Sequence, residues 1–81
     1  MSLDLTILAV LETSHPRLMK NAVVKAEVGM RAGRPVLRSE FDRRMRALEA
    51  KGDIAGVADE DHGFRWRISQ EGMMRLEQAN S

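Results

Sequence analysis

The chain contains no cysteine and no tyrosine, one tryptophan, two phenylalanines and two prolines. Without cysteine there is neither a disulfide framework nor a thiolate metal site, and nothing argues for an oxidising compartment. No glycine-rich phosphate loop follows a strand pattern, and no nucleophile–base pair stands out. Catalysis therefore has little to work with, and we expect neither an enzyme nor a cofactor. The longest apolar run, Leu5 to Leu11, is interrupted by Thr6. It falls far short of the ~20 residues needed to cross a bilayer, and no basic lead or cleavage site makes it a signal peptide. No membrane partner is expected, and the expected address is the cytoplasm, of a bacterium or a phage-infected cell. Repeats and low-complexity segments are absent. A net charge of only +1 gives no strong electrostatic argument for nucleic acid.

What the chain does have is enough apolar residue to fold. With 81 residues, 43% of them hydrophobic and 31% charged, residues 1–81 read as one folded domain. A chain this short buries only about 60–65% of its unfolded surface, which favours a homodimer. Its charges are unevenly placed. Basic residues are spread over the body, whereas Asp53, Asp59, Glu60 and Asp61 form an acidic segment with no lysine or arginine among them.

The clearest helix spans residues 39–51. Ser39 is placed to cap it, Glu40 and Asp42 suit the positive end of its dipole, and Gly52 follows as a stop. Phe41, Met45 and Leu48 recur on one face, while Ser39, Arg43, Arg46, Ala47 and Ala50 occupy the other. Before it, Ser2 or Asp4 caps a helix reaching about Thr13, in which Leu3, Ile7, Leu8, Val10 and Leu11 cover more than one stripe. Such a helix is either central to the core or shared with a partner subunit. Pro16 suits the first turn of a second helix running to about Arg31. Its stripe of Met19, Ala22, Val23, Ala26 and Met30 is expected to face the core, leaving Val24 and Val28 on the opposite face as a contact patch. Gly33 suits a left-handed cap, and Val36 a short strand. Asp53 to Ala58 reads as a strand with a bulge at Gly56. After an acidic turn, Phe64, Trp66 and Ile68 alternate inward against outward Arg65 and Arg67. Ser69 caps a last helix that returns Met73 and Leu76 to the core, with Met74 as a further candidate.

The order helix, helix, extended piece, helix, hairpin, helix resembles a winged helix-turn-helix domain, an α+β and mainly α fold of three helices, a two-stranded β wing and a C-terminal helix. Met45-Arg46-Ala47-Leu48-Glu49-Ala50-Lys51-Gly52-Asp53-Ile54, followed by Arg65-Trp66-Arg67-Ile68-Ser69-Gln70-Glu71-Gly72, is similar to MarR-like and PadR-like bacterial regulators. There a recognition helix ends in Leu-Glu-x-Lys-Gly, and the second wing strand ends in Ser or Thr with Gly three residues on. The resemblance implies a transcriptional regulator that reads double-stranded DNA with helix 39–51. It departs from that pattern at the wing tip, where Asp59, Glu60 and Asp61 would repel phosphate.

The candidate DNA-binding residues are Arg38, Ser39, Arg43, Arg46, Arg65 and Arg67. Arg43 and Arg46 suit base edges or phosphates, and Arg38 and Ser39 suit phosphates. The competing reading of Arg43 and Arg46 is a solvated face paired with Glu40, Asp42 and Glu49. For Arg65 and Arg67 it is cross-strand pairing with acids. Arg44 is expected to pack on the core flank or pair with Glu40, and Trp66 to lie in the core. No metal site is expected, because His62 with Asp59 and Asp61 lacks a regular ligand geometry. The alternative function is a protein–protein interaction module on the same fold, docking through the first helix, Val24 and Val28.

Overall fold

Ser2 begins the first helix: its hydroxyl accepts the Leu5 N–H at 3.2 Å, so Ser2 rather than Asp4 is the cap. The computed structural model describes residues 2–61 and 63–81. Its elements are α1 (Leu3–Ser14), β1 (Met19–Lys20), α2 (Asn21–Ala32), α3 (Arg38–Ala50), β2 (Ile54–Asp59), β3 (Gly63–Ile68) and α4 (Gln70–Asn80). Helix α1 is the central one. Ile7, Leu8, Val10 and Leu11 are fully buried, which explains why its apolar residues cover more than one stripe.

The second helix departs from the sequence reading. It starts at Asn21 rather than Pro16, because Met19 and Lys20 pair with Trp66 and Arg65 as a third strand at the edge of the wing sheet. The sheet order is β1-β3-β2, so the sheet has three strands instead of two. The helix is also turned the other way. Val24 and Val28 are fully buried, whereas Val23 is 42% and Met30 80% exposed. Two apolar stripes compete on α2, and periodicity alone does not choose between them. Two distant contacts hold the start of the helix: β1 pairs with β3, and Asn21 Oδ1 accepts the Trp66 indole N–H at 2.9 Å. With its start held there, the helix turns the two valines inward. They belong to the chain's own core and form no contact patch. Gly33 ends the helix at φ 71°, as expected. Val36 is buried but forms no strand.

Helix α3 begins at Arg38, with Leu37 in the cap position and no side-chain cap. Ser39 therefore lies inside the first turn and does not cap it; the Phe41 N–H to Leu37 carbonyl bond, 2.9 Å, already closes that turn. Phe41, Met45 and Leu48 are buried as the spacing requires. Gly52, at φ 82°, turns the chain into the sheet. Strands β2 and β3 keep one register from Ile54↔Ile68 to Asp59↔Gly63, so there is no bulge at Gly56. Glycine is needed there for a different reason: a Cβ would lie 2.6 Å from Trp66 Cζ3. Trp66 and Ile68 are buried. Phe64 stacks on Trp66, centroids 5.5 Å apart, but stays 49% exposed.

Ser69 caps α4, as expected, accepting the Gly72 N–H at 3.0 Å. It also ties α4 to the end of α3. Its hydroxyl donates to the Gly52 carbonyl at 2.5 Å, and its N–H donates to the Asp53 carbonyl at 2.9 Å. A Cβ on Gly72 would overlap that Asp53 carbonyl. The Lys-Gly-Asp and Ser-x-x-Gly signatures are thus the two halves of one clasp. Asp53 itself is buried, with Arg75 Nε 2.6 Å from its carboxylate. Leu76 is buried and Met73 packs against the core, while Met74 is 54% exposed. The arrangement is a winged helix with a three-stranded wing sheet.

Candidate nucleic-acid interface

Anchoring one face of α3 by Phe41, Met45 and Leu48 decides what the other positions do. At about 100° per residue, Ser39, Arg43, Arg46 and Ala50 fall opposite the buried stripe. All four are exposed. Arg38, Asp42 and Glu49 fall on the flank toward the wing, and Glu40 and Arg44 on the flank toward α1. Ion pairs sort the nearby cations. Arg38 lies 3.8 Å from Asp42, one helical turn on. Arg44 and Lys51 both lie 3.9 Å from Asp4 of α1 and tie α3 to that helix. Of the two expectations for Arg44, packing on the core flank or pairing with Glu40, the second does not hold: its ion pair is with Asp4.

Glu40 is taken instead by Arg34, from the turn between α2 and α3. Two N–H···O bonds of 3.2 Å join guanidinium to carboxylate. The hydrogen bond to Arg34 holds the Glu40 carboxyl below its ordinary range against the opposing effect of desolvation. The charges of Arg34, Arg43 and Arg44 add weaker pulls in the same direction. The same bond raises the pKa of Arg34. No periodic rule points to this pair, because Arg34 lies in the Gly33-Arg34-Pro35 turn and Glu40 in the helix that follows it. Arg43 and Arg46 are left with no ion pair and no side-chain hydrogen bond among the described residues.

The wing contributes differently. Phe64 and Trp66 share a groove of about 490 Å³ with Arg38, Asp42, Arg46 and Glu49 of α3. Side chains alternate along a strand, so Arg65 and Arg67 project from the other face of the sheet. Arg65 is held there by Asp59, 2.8 Å from its Nε, which is the cross-strand pairing weighed above. Arg67 is exposed opposite Ala55. The six candidates therefore separate into Arg38, Ser39, Arg43 and Arg46 on α3, and Arg65 and Arg67 behind the wing. Glu60 and Asp61 are exposed at the tip, where the Asp61 N–H donates to Asp59 Oδ1 at 3.0 Å. The reading of His62 as a metal ligand or turn residue lies outside the described residues.

Chains of known structure share this fold. RosR of H. salinarum superposes with a TM-score of 0.83 at 18% identity, over 98% of this chain and 69% of that one. A second structure, of the complex RosR-S4, gives 0.83 at 16% identity, over 98% and 66%. A transcriptional regulator from Clostridium thermocellum gives 0.78 at 18% identity, over 94% and 76%. No family model and no curated protein matches the sequence. At these identities the likeness shows the winged-helix fold and nothing finer, neither a MarR-like nor a PadR-like subtype.

Proposed function

We propose that this chain, folding as a single domain over residues 1–81, is a cytoplasmic DNA-binding transcriptional regulator that lays α3 in the major groove of double-stranded DNA. One observation carries the reading. Arg43 and Arg46 are exposed and, among the described residues, free of ion pairs, on a helix whose opposite face is locked into the core. In this reading Arg38 and Ser39, at the start of the helix, meet phosphate, and Arg67 adds charge at a distance. Arg65, already neutralised by Asp59, adds little. The radius of gyration, 11.6 Å, supports a single compact unit, for which about 12 Å is expected at this length. With a net charge of +1 a monomer holds DNA weakly, and a homodimer doubles the phosphate contacts. No helix among the described residues is long and apolar enough to cross a membrane, and the reading assigns no catalytic role.

The test is a salt titration of duplex binding by fluorescence anisotropy. Affinity should fall steeply with salt, because each neutralised phosphate contributes a log–log slope of about −0.9. Arg43→Ala/Arg46→Ala should weaken binding and flatten the slope. Unchanged binding by the double variant would remove α3 as the contact surface, and absence of binding by the wild type at low salt would remove the function.

A second reading, a protein-interaction module, keeps one specific support now that Val24 and Val28 are internal. Met30 and Leu37 are 80% and 69% exposed. Light scattering separates the two: a concentration-independent monomer that binds no duplex favours this module.

A further inference from the structure

The four arginines of α3 do not share one electrostatic state. Arg38 is drawn along the helix to Asp42 and Arg44 is drawn to Asp4. Arg43 and Arg46 make no ion pair among the described residues, and they lie on the part of the helix turned directly away from the core. A helix in a groove presents that part to its floor, and its flanks to the phosphate walls. On a helix so placed, Arg38, on the wing flank, would face a wall, and Arg43 and Arg46 would face base edges.

The chemistry of the face narrows what it can read. Adenine is read by the amides of Asn or Gln, and the cytosine amino group by carboxylates. Ser39, Arg43, Arg46 and Ala50 lie opposite the buried stripe with no amide and no carboxylate among them; Asp42 and Glu49 lie toward the wing, where Arg46 also borders the groove. What remains is a pair of guanidinium forks, which match the O6 and N7 acceptors of guanine. Three residues of helix separate their origins by about 4.5 Å along the axis and 60° around it. Stacked base pairs are about 3.4 Å apart. Two extended side chains so placed reach neighbouring or next-but-one base pairs, and Ala50 beside them leaves the approach unobstructed.

We infer that Arg43 and Arg46 are the base-reading pair, and that the DNA this chain prefers carries two guanines within three successive base pairs of the major groove. The inference rests on α3 being the DNA-contacting helix.

The experiment selects bound duplexes from a randomised pool. It then measures anisotropy on the selected duplex, on duplexes with each G·C replaced by A·T, and on duplexes with 7-deazaguanine, which lacks the N7 acceptor. Replacing either guanine should weaken binding about 5- to 150-fold, the equivalent of one bidentate contact. Arg43→Lys and Arg46→Lys keep the charge but not the fork. Each should lose discrimination at one guanine, so that its affinity for the selected duplex falls toward its affinity for random duplex. Arg38→Ala should weaken all duplexes evenly with discrimination intact. Salt-dependent binding without guanine preference, or full discrimination in both lysine variants, would overturn the inference and leave DNA binding standing. Failure to bind any duplex at low salt would overturn the proposed function, and the inference with it.

Discussion

Gly72→Ala tests the clasp between α3, β2 and α4. In an unobstructed helix interior this substitution stabilises by about 1 kcal/mol. Here the added Cβ overlaps the Asp53 carbonyl oxygen and lies 2.9 Å from Ile68 Cγ1. The obstruction is backbone, which no rotamer change relieves, so the first turn of α4 must lift away from β2. Overpacking of this kind costs about 1–3 kcal/mol. Lifting also strains the Ser69 N–H bond to Asp53 and the Ser69 hydroxyl bond to Gly52, each worth about 1 kcal/mol. Net of the helix propensity gained, we expect a loss of about 2–4 kcal/mol. A chain of this length has roughly 4–12 kcal/mol of stability in all, and each kcal/mol moves the melting temperature by about 4–8 °C. Urea and thermal unfolding followed by far-UV circular dichroism read the change directly. Ser69→Ala, which removes the cap and one clasp bond without a clash, should cost about 1–2 kcal/mol. A Gly72→Ala protein as stable as the wild type, or more stable, would refute the reasoning.

Three further outcomes follow from other parts of the fold. Val24→Ala should cost about 2 kcal/mol, because it leaves a cavity beside α1. Val23→Ala should stay within about 0.5 kcal/mol, and equal urea midpoints for the two would contradict the observed rotation of α2. Gly56→Val should displace the Trp66 ring, lowering the urea midpoint and shifting the tryptophan emission maximum to the red; an unshifted emission spectrum would contradict the packing. The Glu40–Arg34 pair lowers the folded pKa of Glu40. Its stabilisation is therefore present above the ordinary glutamate pKa of about 4.3 and is lost as pH falls through the lower folded value. The midpoint difference between wild type and Glu40→Gln should shrink on acidification from neutral pH, and a difference that holds or grows would exclude the pair as its cause.

Local signals made much of this molecule legible in its sequence. The buried face of α3 follows from Phe41, Met45 and Leu48 at helical spacing. The caps at Ser2 and Ser69 and the left-handed Gly33 follow from single-residue chemistry, and the inward Trp66 and Ile68 follow from strand alternation. Of the candidate site, the outward position of Arg43 and Arg46 is set by the same periodicity that buries their neighbours. What only the tertiary structure decided are the features that join distant residues. The rotation of α2 depends on Asn21 meeting Trp66, 45 positions away. The third strand depends on Met19 finding the same residue across the sheet. Which arginines remain unpaired depends on Asp4, Asp59 and the Arg34 turn being brought against their partners. Periodicity places a side chain on a face, but its partner on that face comes from another element, and only the folded chain sets the two side by side.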